Sequence, residues 1–394
     1  MAGNQREMER REKREKKDRR NKAIVWSIIA VIVVILAVMK IFEINVNDVK
    51  DRFTDENGNF TLTDGVESSN FPYSIDASQN VKLVNINNKI GVLTPNSFTV
   101  LDGKEATADY LFEHGYSNPV LKTAGVYSLV YDQGDNSYRL DTTSEAVYEE
   151  ELDKSIFCAD VAKNGTVAVA TSSKEKLCDI NVISTSLEKK LEKSISYGYA
   201  VDIALNSGGK QVAVATVSSV NAALATTVYI YDVNSGEELS VALPQGSLAG
   251  LRYDGNNIWA VGDTYLGVIK NNKYNPVYEQ GTINTECFDF SGSGDLIIAY
   301  GGYSNSAEHT IACVKSSGKI KNEFKTDGGT KDICATDSLV SVLTADEIVS
   351  YNIKNGEEKE KIAVPDSVKS ICRLGSSVFI HRQSVVDKGV ASND

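Results

Sequence analysis

The stretch VYIYDVNSGEEL, Val228 to Leu239, alternates apolar and polar side chains, breaks at Asn234-Ser235-Gly236, and then restarts. Period-two alternation on either side of a polar, Gly-bearing break predicts a β-hairpin. A hairpin on its own is marginal in water, so it needs neighbours. Its counterpart is IVSYNIKNGEEKEKIAV, Ile348 to Val364, with weaker echoes in IACVKSSGKIKNEF and INVISTSLEKKLEK.

Upstream of each hairpin lies a second recurring piece, a short apolar run after a polar turn. It reads KIGVLTP from Lys89, VYSLVYD from Val126, TVAVATS from Thr166, QVAVATV from Gln211, NIWAVGD from Asn257, LIIAYGG from Leu296, LVSVLTA from Leu339 and SVFIHRQ from Ser377. Each is preceded by a strand beginning near Val81, Pro119, Ile156, Ala200, Leu248, Thr285, Lys331 or Val368. The spacing is about 41 residues per copy, the period of a propeller blade. The chain therefore reads as an all-β, eight-bladed β-propeller, with seven blades as the alternative and an irregular sandwich as the rival fold. Proline placement supports edge strands at the rim. Pro72, Pro244, Pro276 and Pro365 fall at fourth-strand positions, while Pro95 and Pro119 fall at a turn and a strand start.

The last copy supplies only three strands, VKSICRL, SVFIHRQ and SVVDK, before the chain ends. Asn70 to Asp76 alternates Phe71, Tyr73 and Ile75 on one face and carries Pro72 as an outer strand would. It is expected to close the ring as the outer strand of the last blade.

Ahead of the propeller, the composition changes. Ala23 to Met39, AIVWSIIAVIVVILAVM, holds one serine and no charge. With Lys40, Ile41 and Phe42 it is long enough to cross a bilayer core of roughly 30 Å. A cleaved signal peptide would be shorter in its apolar region and end at a small-x-small site, whereas this run ends Ala37-Val38-Met39-Lys40. Met1 to Lys22 holds ten Lys/Arg, and only Lys40, Lys50 and Arg52 follow the run closely. The expectation is an uncleaved signal anchor with the amino terminus in the cytoplasm. The predicted organisation is a basic cytoplasmic tail (1–22), a transmembrane helix (23–42), a polar stalk (43–69) and an extracytoplasmic propeller (70–394). Glu7 with Arg11 and Glu15 with Arg19 stand at i,i+4 spacing, so the tail reads as a solvated helix that sets topology.

The net charge is -12, and the tail is basic, so the remainder is strongly acidic. An acidic globular part repels phosphate backbones, which excludes nucleic acid as its natural partner.

The turn-plus-strand pieces NSGGKQVAVAT and FSGSGDLIIAY, together with VYIYDVNSGEEL, look like those of the WD40-like and quinoprotein-like propellers. Tyr231-Asp232 stands where WD40 repeats usually carry Trp-Asp. HGYSNPVLKTAGVYSLVYDQGDNSYRL, following a basic tail and a signal anchor, resembles a Firmicutes family of single-pass, membrane-anchored β-propellers of unknown function. That resemblance implies a fold and a topology and carries no activity.

The motifs of chemistry are sparse. His114, His309 and His381 are too scattered for an HExxH zinc motif, and neither GxxxxGK[ST] nor GxSxG occurs. Only Trp26 and Trp259 are present, which removes the tryptophan-docking repeats of quinoprotein dehydrogenases. Asp55 to Asn59 mimics the start of a calcium loop, but Phe60 and Val66 stand where glycine and glutamate belong. Glu149-Glu150-Glu151 and Glu237-Glu238 read as charged rim that blunts outer edges. Asn164 and Asn59 sit in glycosylation sequons that matter only in a eukaryotic host.

Cysteine is the suggestive constellation. Cys158, Cys287, Cys334 and Cys372 fall in first strands, while Cys178 and Cys313 fall in third strands. Cys287, Cys334 and Cys372, from consecutive blades, could meet at the channel as a soft-metal or disulfide site. Without CxxC spacing, the plainer reading is small buried hydrophobes. No residue is therefore singled out as catalytic, cofactor-binding or metal-ligating, and no cofactor is expected.

Function follows from the architecture: a non-enzymatic binding or scaffolding module of the bacterial envelope, recognising an envelope protein, peptide or glycan. The alternatives are an envelope enzyme using the channel mouth and a sensor relaying to the basic tail. Carboxylates with perturbed pKa in one funnel would favour the enzyme, and a broad apolar or aromatic patch the scaffold.

Overall fold

The computed structural model describes residues 71–302 and 309–390, and the tail, apolar run and stalk lie outside them. Within them the chain builds eight four-stranded antiparallel sheets, which settles eight blades over seven. The inner strands of blades 1 to 8 are Lys82–Ile86, Pro119–Ala124, Ile156–Val161, Tyr199–Leu205, Leu248–Asp254, Ile283–Phe290, Asp332–Ala335 and Ser370–Leu374.

The second strands are apolar at nearly every position because neighbouring blades cover both of their faces. Val212, Ala213, Val214 and Ala215 of blade 4 are all fully buried, as are Leu296, Ile297, Ile298 and Ala299 of blade 6. Outer strands have one wet face and alternate accordingly: in Glu358–Ala363 of blade 7 only Ile362 is buried. Each seam between blades is thus a separate small core, and the ring is their sum.

Blade 8 takes its fourth strand from the other end of the chain. Tyr73–Ser74 pairs antiparallel with Val386 and Val385, and the Ile75 N–H donates to Ser384 O at 2.9 Å. The paired part is shorter than Asn70 to Asp76, but the packing follows the expected face. Phe71, Tyr73 and Ile75 lie against a cluster holding Phe379 and Val386, and the Phe71 and Phe379 rings are 5.1 Å apart.

The proline assignment needs a correction. Pro276 lies within an outer strand, but Pro244 and Pro365 stand just past the ends of Glu238–Ala242 and Glu358–Ala363, and Pro72 just precedes Tyr73. Without an N–H, proline ends these outer strands rather than joining them.

Because the blades are meanders, the turn between second and third strands lies at the same end of the ring as the start of each inner strand. Phe71 and Val390, where the described chain begins and ends, lie at the opposite end. We expect a chain starting at Ser69 to unfold cooperatively and one starting at Asn80 to melt far lower or aggregate. Three apolar side chains and an edge ladder are lost together, each fully buried side chain being worth on the order of 1.5–3 kcal/mol. Equal melting temperatures by circular dichroism would contradict closure by this strand.

Candidate functional site: the channel and its bulged mouth

An inner strand has a neighbour on one side only, so every second backbone N–H faces the channel without a ladder partner. At five of the eight seams, a side chain of the preceding blade supplies the acceptor. Asp160 Oδ2 accepts from Leu205 N–H at 2.7 Å and Asp202 Oδ2 from Leu251 N–H at 2.7 Å. Asp289 Oδ2 accepts from Ala335 N–H and Asp332 Oδ2 from Ile371 N–H, both at 2.9 Å, and Ser370 Oγ from Leu83 N–H at 3.1 Å. Asp202 and Asp332 also accept through the second oxygen from the N–H of Ile203 and Ile333, and Asp160 and Asp289 also bond the backbone of Val161 and Phe290.

Blade 5 has no acceptor at its position facing blade 6. A Cβ on Gly250 would come within 2.6 Å of the Phe288 ring, so an aromatic side chain fills that place instead.

Burial raises the carboxylates' pKa values, to about 6 for Asp160 and for Asp332, and in the same direction for Asp289. Three cations offset them. Lys122 of blade 2 reaches past blade 3 to Asp202 of blade 4, Nζ to Oδ1 3.3 Å. Burial opposes its charge, but Asp202 and Asp160 hold its pKa above the ordinary lysine range. Arg252 lies flat over Phe290, Cζ 4.1 Å from the ring centre, and burial lowers its pKa. Lys82 is lowered by burial and then by Lys122. Lys82 and Arg252 are nonetheless exposed, on the inner strands that line the channel.

At one mouth the symmetry breaks. The ladders between first and second strands carry a one-residue bulge in blades 3, 4, 5 and 6, leaving Phe157, Val201, Ala249 and Glu286 as the extra residues. The corresponding ladders of blades 1, 2, 7 and 8 run without a shift. A bulge re-aims the side chain it releases. Glu286 bonds His309 Nδ1 at 2.5 Å and Thr330 N–H at 2.7 Å. Phe157 meets Tyr199 edge-on at 6.3 Å.

Beside them, Tyr197, Tyr199 and Val201 are 54%, 57% and 42% exposed, and Val220 and Leu224 on the adjoining hairpin 42% and 54%. These are five of the ten large apolar side chains that stand exposed among the described residues, so the patch is concentrated at one blade. That hairpin, Gln211–Val220 with Ala223–Asp232, outruns its flanking strands, which end opposite Val217 and Thr227. Its turn, Asn221-Ala222, has both φ angles positive, the tight two-residue form.

The cysteines lie in the strands expected, Cys334 and Cys372 on adjacent inner strands. All six thiols are free, and burial pushes Cys158, Cys334, Cys372 and Cys287 up, away from thiolate. Among the described residues no three metal-binding side chains converge. The three histidines are separate: His114 stacks on Tyr116, His381 Nε2 bonds Gln383 O, and His309 is on the mouth. Glu149, Glu150 and Glu151 lie on an outer strand, as the rim reading required. A cleft of about 200 Å³ at the ring-closure seam, lined by Tyr73, Asp76, Ser97, Leu111 and Glu113 among others, is remote from the channel.

Sequence reasoning missed Lys82, Lys122, Asp160, Asp202, Arg252, Asp289 and Asp332. The available signal was Cys-x-Asp, which recurs in IFCAD and TECFD.

The model of a family of unknown function, DUF5711, matches residues 70–387. The chain belongs to the DUF5711 family. No curated protein sequence matches this DUF5711 chain. Among solved structures it is similar to the C-terminal WD40 domain of Sif2, with 10% identity, a TM-score of 0.54 and coverage of 82% of this chain and 100% of that one. It is similar to Sqt1 of Saccharomyces cerevisiae at 11% identity and TM-score 0.56, covering 81% and 98% of the two chains. BamB of Moraxella catarrhalis gives 10% identity and a TM-score of 0.49 over 81% and 98%. At these identities the likeness to the first two concerns the fold alone.

The seam carboxylates give a pH dependence of defined sign. Asp160 and Asp332 hold their protons to about pH 6 when folded and release them near 3.8 when unfolded. Unfolding between those values therefore releases protons, and stability falls as pH rises from about 4 to 6. Asp160→Asn and Asp332→Asn keep an acceptor oxygen and remove the charge, so they should flatten that fall and leave the melting temperature at pH 7.5 unchanged or higher. Asp160→Ala strands the Leu205 N–H and should cost about 1–3 kcal/mol at both pH values. Thermal unfolding at pH 4.5 and 7.5 checks this, and identical Asn and Ala variants would contradict it.

Proposed function

We propose that this chain is a membrane-anchored, non-enzymatic binding or scaffolding module of the bacterial cell envelope, with its receiving surface at the bulged mouth. The observation that carries the reading is the coincidence of four consecutive bulges, at Phe157, Val201, Ala249 and Glu286, with the exposed Tyr197, Tyr199 and Val201. Contiguous exposed apolar side chains on a rigid frame are the feature of an interaction surface. The raised carboxylate pKa values are what an enzyme would need, yet these carboxylates are engaged by backbone donors at the seams. Anchoring rests on the apolar run 23–42 and the excess of Lys/Arg before it. The partner is an envelope protein, peptide or glycan on the outer face of the membrane, not nucleic acid.

A photo-crosslinking residue at Val201 or Tyr199 in living cells should capture the same species, absent when the label is moved to Ser235 at the other end of the ring. Equal capture from all three positions, or none from the mouth, would remove this surface from consideration. Protease added to intact protoplasts should digest everything beyond about residue 43 and spare an amino-terminal epitope. Survival of the carboxy-terminal part would reverse the orientation.

A further inference from the structure

Three features meet at the mouth, and only the first is apolar. Phe157, Tyr199 and Val201 make an arc across blades 3 and 4. Deeper in the channel, Arg252 and Lys82 have no hydrogen-bond partner among the described residues, although Lys122, Asp160, Asp202, Asp289 and Asp332 all do. The Arg252 Cζ lies 4.1 Å from the Phe290 ring centre, a contact that holds the guanidinium by the charge of the ring face and leaves its fork of donors unspent, which suits bidentate capture of a carboxylate. Lys82 enters from blade 1, across the ring from blade 5, and both cations act on the same carboxylate, Asp289. Asp289 does not close the pair, because its oxygens are taken by Ala335 and Phe290.

The third feature is backbone. In the ladder Val220↔Ala223, Ser219↔Leu224, Ser218↔Ala225, closed by a two-residue turn, the Ser219 pair is the one that exchanges no hydrogen bonds. The Ser219 N–H and C=O therefore point away from its partner, toward the side where the inner strand would lie had it not begun at Tyr199 opposite Val217. From Gln211 to Tyr231 there is no charged residue, so this edge lacks the usual protection against a pairing strand. A strand laid antiparallel on Ser218–Val220 runs in the direction of Tyr199–Leu205, that is, into the channel.

We infer that the mouth captures the carboxy-terminal end of an extended apolar polypeptide, which pairs with the Ser219 edge, sets its last side chains on the Phe157–Tyr199–Val201 arc, and presents its terminal carboxylate to Arg252 and Lys82. This deepens the binding-module reading and rests on it. Strand addition supplies affinity through the main chain, the arc selects apolar side chains, and the two cations select a terminus over an internal segment.

The test uses the full-length protein in detergent and a fluorescein-labelled peptide, Ser-Thr-Val-Thr-Val, with a free carboxy terminus or an amide, read by fluorescence anisotropy. The free acid should bind about tenfold or more tightly than the amide. Arg252→Gln should erase that difference, Arg252→Lys should keep part of it, and Val201→Asp should weaken both peptides, with unchanged melting temperatures as the fold control. Decanoate, a carboxylate without a backbone, should compete poorly. Equal binding of acid and amide, binding of neither, or displacement by decanoate as effective as by unlabelled peptide would overturn the inference. Any of these alongside mouth-specific crosslinking in cells would leave the binding module standing and remove only this ligand.

Discussion

The structure depends on how a ring of inner strands satisfies its own inner edge. Each inner strand has a ladder partner on its outer side only, so the donors facing the channel must find side chains or water. Aspartate on the preceding blade meets that need and staples one blade to the next with the same bond. The channel charge follows. Burial, and to a smaller degree neighbouring carboxylates, raise the pKa values of Asp160 and Asp332, with Lys122 as the counterweight at Asp160 and Arg252 and Lys82 at Asp289. Where the acceptor is missing, as at Gly250, packing takes its place through Phe288.

The staples are spread around the ring, but the bulges are not. Blades 3 to 6 are bulged at the same point of their inner strand, while blades 7, 8, 1 and 2, which flank the ring-closure strand, pair without a shift. The ring thus has a closing half with regular ladders and another half whose inner strands each carry one extra residue. The long hairpin rises from the second of the bulged blades, so irregularity in the ladder and apolar exposure coincide.

The fold was legible because every blade solves one packing problem and so repeats one pattern. A second strand buried on both faces must be an apolar run, and the copies from Lys89 to Ser377 are those strands. The closure strand was legible by deficit, since three strands in the last copy require a fourth. The channel was not. Asp160, Asp202, Asp289 and Asp332 are single residues, successive ones 42 to 87 positions apart, whose common role exists only once the blades are stacked. A bulge is less visible still: one extra residue at Val201 changes the facing of its neighbours but not the composition of the strand. The outer prolines were placed by a rule about edges: Pro276 does sit in an outer strand, while Pro72, Pro244 and Pro365 stand just beyond the strand ends, where no ladder donor is needed.

A carboxyl group poised near pH 6 in the channel wall is what a general base would need, but Asp160 and Asp332 are engaged in the seams between blades. A general base needs a lone pair within reach of a substrate proton. Asp160 has one oxygen on Leu205 N–H and also bonds the Val161 backbone, and Asp332 is held in the same way by Ile371 and Ile333. Both carboxyl groups are engaged in holding one inner strand to the next. Their raised pKa therefore measures the desolvation cost of stapling the seam, and the channel groups left with unspent capacity are donors, Arg252 and Lys82, which can hold an anion and have no proton to take.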